Sequence, residues 1–377
     1  MRFIATCKMG VESLVSLELK RLGMKNVAAE DARVCFEGDM LDMARACLWL
    51  RTAERLLMDV ATFSATTFEE LYEGVSRVDW KQYFLRDSFI HVNGKSAKSK
   101  LFSVSDCQSI TKKAIVDRLS TSYRINRLPE TGKRVILEVG ILKDNVTLAL
   151  DCCGAGLSRR GYRTYNVDAP IAETLGAAIV LLSRFKGDME LIDPMCGSGT
   201  MPIEAAMIAE NRAPGLNRSF AAEEWHFLPS TVFTEARLSA REAIKPMKLC
   251  ILGSDIDARS IDLCKKHAKK AGVMLEWKNA PLSELKVRRE SGIIVCNPPY
   301  GERLMDKNAT ERLYRDMYSV FSEFPHHYKH IITSNRDFEA IYGKKADKRR
   351  KLSNGGMTCT LYSYFGEKLY KNDDKEI

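Results

Sequence analysis

The sequence predicts a two-part α/β protein, with an α+β N-terminal region followed by a doubly wound sheet. Three observations carry this. From residue 169 onward, apolar runs of strand length alternate with helix-length periodic segments. One strand leads through a glycine-rich turn, "DPMCGSGT", straight into a helix. A later strand, "SGIIVC", runs into Asn-Pro-Pro-Tyr instead of a polar turn.

Taken in order, "RFIATC" reads as a strand. An amphipathic helix follows, with Val11, Leu14, Val15, Leu17 and Leu22 close to one face and Gly23 as its stop, then a second short strand ending near Phe36. A helix over about Met40 to Arg55 and the strand "RLLMDVATFSA" complete what looks like a ferredoxin-like α+β unit over residues 1–65. Residues 66–154 form a second module. "TFEELYEGVSRVDWKQYF" reads as helix, "SFIHVNGKS" as strand and "CQSITKKAIVDRLSTSYR" as helix, and "RVILEVGILKDNVTLALDCCG" supplies two strands turning at Lys143-Asp144-Asn145. "AGLSRRGYRTYNVDAP" has no apolar period and is expected to be a linker over 155–168. The third domain, 169–377, opens with the helix "PIAETLGAAIVLLSRF" and continues through "MELIDPMCGSGT", "LCILGSDID", "MLEWKNA", "SGIIVCNPPY", "HYKHIITS" and "TCTLYSYFG" as strands.

Bulk properties exclude other classes. Charged residues are 28% and hydrophobic ones 45%, an ordinary globular composition rather than a disordered one. Lys8 and Glu12 interrupt the opening before an apolar run can develop, so neither a signal peptide nor a membrane span is expected, and the cytoplasm is the expected location. The eleven cysteines form no CxxC and no Cys/His set at zinc spacing, so reduced thiols and no metal are expected. The net charge of +9 is concentrated early, with 26 Lys+Arg against 20 Asp+Glu in residues 1–165. That imbalance suits a polyanionic partner.

The chemistry is carried by strand ends. Asp193 ends one strand, and Gly197 and Gly199 lie in the turn that follows, at the carboxyl edge where open parallel sheets bind ligands. Pro202 stands where a dinucleotide motif has its third glycine, and an acid precedes the first. A pyrophosphate disfavours that acid, whereas the ammonium and sulfonium of S-adenosylmethionine tolerate it. The expected cofactor is therefore S-adenosylmethionine. Asp255 ends the next strand and can accept both ribose hydroxyls, with Asp257 as its competitor, and Asn279 is placed to bond the adenine edge.

The Asn-Pro-Pro-Tyr stretch fits an aminated planar ring. Pro299 lacks an N–H and biases Pro298 toward extended backbone, holding the Pro298 carbonyl rigid and unpaired. Asn297 offers a second acceptor and Tyr300 a stacking face. Two acceptors on one exocyclic amine pull the nitrogen toward tetrahedral geometry and free its lone pair for in-line attack on a methyl group, with no metal and no covalent enzyme intermediate. The target base would be extruded onto Tyr300.

With these residues in view, the chain resembles the class I Rossmann-like S-adenosylmethionine methyltransferases. "YNVDAPIAETLGAAIVLL", "DPMCGSGTMPIEAAMIA", "APGLNR", "GSDID", "NPPYGERL" and "LSNGGMTCTLYSYF" are similar to the bacterial 23S rRNA guanine-N2 methyltransferases, in particular the N-terminal half of the fused two-activity enzyme. "CLWLRTAERLL" and "LYEGVSRVDW" resemble the ferredoxin-like and THUMP RNA-binding region of that family. The resemblance implies a cofactor site of Ala169, Pro170, Glu173, Thr174, Asp193, Met195, Cys196, Gly197, Ser198, Gly199, Asp255, Ile256, Asn279, Ala280 and Asn297. It implies catalysis by Asn297, Pro298, Pro299 and Tyr300 on a guanine N2 amine of structured RNA, 23S rRNA or its ribosomal precursor. Ala172 departs from the basic residue often found there, and Asn279 from the more usual Asp. For RNA contact the THUMP-like module offers Lys95, Lys98 and Lys100 in a loop and Lys112, Lys113 and Arg118 on a helix, and "KKADKRRK", Lys344 to Lys351, can flank the base pocket. Three alternatives stay open: a tRNA guanine-N2 enzyme, an N6-adenine DNA methyltransferase using the same hydrogen-bond logic, and an inactive RNA-binding relative.

Overall fold

The computed structural model describes residues 1–163, 171–299, 307–354 and 356–368. It divides into two compact units. One comprises Met1–Cys7, Val15–Leu157 and Arg218–Ser239, and the other Lys8–Leu14, Ser158–Asn217 and Ala240–Ile377.

The first unit is built on one seven-stranded sheet in the order β2-β3-β1-β4-β7-β6-β5. Its strands are β1 (Arg2–Cys7), β2 (Lys25–Glu30), β3 (Arg33–Glu37), β4 (Ala53–Ser64), β5 (Phe89–Ala97), β6 (Arg134–Leu142) and β7 (Asn145–Asp151). Strand alternation gives the sheet two different faces. Phe3, Ala5, Val34, Phe36, Leu56 and Met58 are buried on one, where α4 (Val104–Tyr123) crosses β5 so closely that a Cβ on Gly94 would lie 2.8 Å from Gln108 Cγ. Arg2, Thr6, Arg33, Asp59, Thr62 and Lys95 line a trough of about 660 Å³ on the other.

Several expectations are revised here. The single strand expected to end near Phe36 is the β2–β3 hairpin. The helix expected to reach Arg55 is α2 (Met40–Trp49), opened by an Asp39–Asp42 capping box and closed at Leu50, whose backbone is already extended. In α1 (Glu12–Arg21) the buried positions are Val15 and Leu19, while Leu17 is exposed. The insertion after "APGLN" belongs to the first unit: Arg218 donates to the carbonyls of Cys153, Ala155 and Gly156, and Phe220 stacks on Phe233 of α7 (Thr231–Glu242).

The second unit holds the other sheet, in the order β10-β9-β8-β11-β12-β14-β13. Its strands are β8 (Glu190–Asp193), β9 (Cys250–Asp255), β10 (Glu276–Asn279), β11 (Gly292–Cys296), β12 (Tyr328–Thr333), β13 (Lys348–Asn354) and β14 (Met357–Tyr364). β8 to β12 pair in parallel, and β14 runs antiparallel to β12 and β13. The order reverses between β8 and β11, and ligands bind at the carboxyl ends of such a switch point. Helices α5 (Glu173–Leu182), α6 (Thr200–Ala209), α8 (Ala258–Ala271), α9 (Lys307–Ser322) and α10 (Phe338–Tyr342) complete the unit. Much of the basic run Lys344 to Lys351 is edge strand β13, where Arg349 pairs with Glu339 at 2.7 Å and Arg350 donates to the Gly10 carbonyl.

Candidate active site

The site grows from the ends of β8, β9 and β11. All four residues of β8 are buried. Asp193, 1% exposed, accepts the Met195 N–H at 3.2 Å. Burial pushes its carboxyl well above the usual range and nearby Asp255 raises it further, against the opposing pull of the Met195 bond.

The turn after Asp193 takes its shape from two glycines. Gly199, the N-cap of α6, has φ +80, and a Cβ there would lie 2.7 Å from Trp277 Cη2 and 3.0 Å from Cys264 Sγ. Gly197 has φ +51, and a Cβ on it would meet no atom of the described residues within 4 Å, leaving room for a ligand to approach its backbone. Helix α8 holds the turn from behind. Cys264 donates to the Gly197 carbonyl at 3.1 Å, and the buried His267 lies 3.1 Å from the Ser198 carbonyl. A carbonyl only accepts, so His267 Nδ1 carries the hydrogen, and burial lowers the imidazole's basicity. Cys196, Ser198 and Thr200 are buried beside them, and Met195 packs on the core of the neighbouring strands.

Asp255 is tied into this turn. Its Oδ2 accepts the Gly197 N–H at 2.9 Å and its Oδ1 the Asp257 N–H at 3.0 Å. Each oxygen keeps a second lone pair for a hydroxyl. Asp257 instead caps α8 by accepting the Arg259 N–H at 3.1 Å, and that bond lowers its carboxyl. Asn279 spends its amide hydrogens on the carbonyls of Asp255 and Ile256, both at 2.9 Å. An aspartate could donate neither bond, which gives the asparagine a physical reason to stand there. The Ala280 N–H also goes to the Asp255 carbonyl, so that backbone donor is not free for an adenine. Ile256, 77% exposed, offers an apolar flank.

At the end of β11, Asn297 Oδ1 is buried and has no hydrogen-bond partner among the described residues. Pro298 beside it is buried. Tyr300, Ala169 and Pro170 lie outside the described residues. Glu173 and Thr174 open α5, 6% and 2% exposed, and burial raises the Glu173 carboxyl while Arg163, 3.5 Å away, opposes the shift.

Sequence reasoning missed what lies under the turn. In the expected linker, Arg160 and Tyr162 are each 2% exposed. Arg160 pairs with Glu204 of α6 at 3.4 Å, and Tyr162 donates its hydroxyl to the same carboxylate at 3.1 Å. Arg163 donates to the Ile171 carbonyl at 2.8 Å and to Thr200 Oγ1 at 2.6 Å. From Ser158 onward this segment belongs to the second unit. The only signal for it was an unusual density of Arg and Tyr in "RRGYR".

Of the lysines expected to meet RNA, Lys112 is paired with Glu130 at 2.9 Å and Lys95 with Glu138 at 3.1 Å. Lys113 lies over the Tyr72 ring, and Lys98 and Lys100 are exposed on the loop after β5.

Residues 160–363 match the RMKL-like methyltransferase domain, 2–57 the RlmL ferredoxin-like domain and 65–151 the THUMP domain. The chain is 42% identical to Bacillus subtilis YpsC, an RNA methyltransferase by name, over 97% of this chain and 96% of that one. It is 34% identical to the ribosomal RNA large subunit methyltransferase K/L of Syntrophotalea carbinolica over 96% of this chain, but spans only 53% of that longer protein. Among solved structures, SMU.472, described as a methyltransferase complexed with SAH, superposes with TM-score 0.91 at 40% identity, covering 98% of this chain and 99% of its own. A Listeria monocytogenes protein described as an N6-adenine-specific DNA methylase superposes with TM-score 0.91 at 46% identity, covering 97% and 96%. S-adenosylmethionine is the cofactor, and the bare Gly197 backbone and the acceptors at Asp255 fit it.

Proposed function

Because the chain belongs to the RMKL-like methyltransferases that carry RlmL-type ferredoxin-like and THUMP domains, we propose that it methylates the exocyclic N2 amine of a guanine in RNA, with 23S rRNA as the substrate. The observation that carries the reading is Asn297 Oδ1, a buried acceptor at the carboxyl end of β11 that has no donor among the described residues. Such an atom costs about 1 to 3 kcal/mol while unsatisfied, and an amine hydrogen of the substrate removes that cost.

S-adenosylmethionine supplies an electrophilic methyl group. Residues of this chain do the rest. Asp255 would hold the ribose, the absence of a side chain at Gly197 would let the amino-acid end approach, Asp193 would face its cationic group, and Ile256 would flank the adenine. Asn297 and the Pro298 carbonyl would accept the two amine hydrogens, orient the nitrogen and stabilise the positive charge that develops on it. The cationic amine product then gives one proton directly to water, since the two neutral carbonyl oxygens accept hydrogen bonds but are too weakly basic to take it.

Replacing Asn297 by Ala should leave cofactor affinity nearly unchanged and lower turnover by roughly 100-fold or more. Full activity in that variant rejects the amine contacts. Adenine N6 is the second reading, favoured by the description of the Listeria protein. Mass mapping of methylated nucleosides in RNA and DNA from cells lacking the gene separates the two. Loss of N2-methylguanosine from 23S rRNA supports the proposal, and loss of N6-methyldeoxyadenosine from DNA overturns it.

A further inference from the structure

The glycine-rich turn of the second unit leaves a single backbone donor over. Between Met195 and Gly199, the Met195 N–H goes to Asp193 Oδ1, the Cys196 N–H to the Ser254 carbonyl, the Gly197 N–H to Asp255 Oδ2 and the Gly199 N–H to the Cys196 carbonyl. The Ser198 N–H has no acceptor among the described residues. Backbone donors in folded proteins are nearly always paired. One left unspent in a turn that receives a ligand is a donor kept for that ligand.

Two side chains of α8 decide where this donor points. Cys264 and His267 lie three residues apart on one face of the helix, and both are fully buried. Cys264 donates to the Gly197 carbonyl and His267 Nδ1 to the Ser198 carbonyl, each at 3.1 Å. In a trans peptide the N–H runs antiparallel to the C=O, and no peptide bond among the described residues is cis. A Gly197 carbonyl held against α8 therefore turns the Ser198 N–H toward the opposite side of the turn. The Ser198 carbonyl, held by His267, likewise turns the Gly199 N–H back onto the Cys196 carbonyl at 2.8 Å and keeps the turn closed. His267 does this only as the neutral tautomer with its hydrogen on Nδ1. Its surroundings select that form, because Nε2 is buried with no partner among the described residues and a second proton there would be an unpaired charge.

We propose that His267 and Cys264 are positioning residues for the cofactor: by holding two successive carbonyls against α8, they aim the Ser198 N–H at the carboxylate of its amino-acid end. The carboxylate is the acceptor at that end, since the ammonium has only hydrogens to give and is left to Asp193. The inference rests on the placement of the amino-acid end given under the proposed function.

Calorimetric titration of the full chain with SAH and with methylthioadenosine, which keeps the adenosine and the sulfur but lacks the amino-acid end, tests it. H267A and C264A should each weaken SAH binding by about tenfold, the order of one misplaced hydrogen bond to a charged group, and leave methylthioadenosine binding unchanged. H267N should restore SAH affinity, because its amide N–H donates from nearly the position of Nδ1. Circular dichroism reports on folding, and should H267A not fold, H267N and C264A carry the same comparison. Unchanged SAH affinity in H267A and C264A overturns the proposal. Equal weakening of both ligands, the signature of general damage to packing, also overturns it, as does an H267N that behaves like H267A. D193N separates this failure from a failure of the placement beneath it. Weaker SAH binding in D193N alone rejects only the positioning role, whereas unaffected SAH binding in D193N, H267A and C264A rejects the placement too. Neither ligand reads turnover, so the Asn297 test stands apart.

Discussion

At the scale of single residues, the candidate site concentrates acidic groups where water is excluded. Asp193 is a buried acid with a second acid beside it, so its carboxyl binds a proton more tightly in the folded, cofactor-free chain than in the unfolded one. A folded-state value raised above the unfolded value stabilises the fold at low pH. That contribution is complete below the ordinary carboxylate range and is lost as pH rises through the raised Asp193 value. Thermal unfolding of the cofactor-free protein should accordingly lose stability across that window, and D193N should flatten the loss. A cationic cofactor favours the ionised acid, so its affinity, followed by calorimetry, should rise with pH over the same window and level off above it. Asp255 and Asp257 show how close neighbours divide roles: one faces the turn with both oxygens bonded to backbone N–H groups, and the other caps a helix.

At the scale of elements, the two glycines of the turn should respond differently to substitution. G199A places a methyl against Trp277 and Cys264 in a left-handed conformation, so urea unfolding should show a loss of about 2 kcal/mol or more. G197A meets no atom of the described residues, so its stability cost should stop at the backbone term of about 1 kcal/mol, with the larger effect on cofactor affinity. Under the turn, E204Q removes the carboxylate that faces Arg160 and Tyr162 and should destabilise by about 3 kcal/mol, as expected when one partner of a buried pair is lost. The strands and helices around the turn were legible because periodicity and glycine placement are local signals. The "RRGYR" segment was not, because a buried ionic network leaves no apolar period. β13 was obscured for a related reason: an edge strand made of "KRRKLSN" carries the charge of a loop.

At the scale of the whole molecule, each of the two compact units is built on its own seven-stranded sheet, and the candidate site belongs to the second. No helix among the described residues is long and apolar enough to cross a membrane. The sequence by itself determined the doubly wound sheet, the acidic strand ends and the Asn-Pro-Pro corner, because each depends on residue type at short spacing. Only the tertiary structure decided that Asp255 and not Asp257 faces the turn, that Asn279 is spent on two carbonyls, and that Lys112 is paired with Glu130. Those outcomes depend on which groups meet across long stretches of chain, and hydrogen bonding and burial between distant residues leave no period for a linear reading to find.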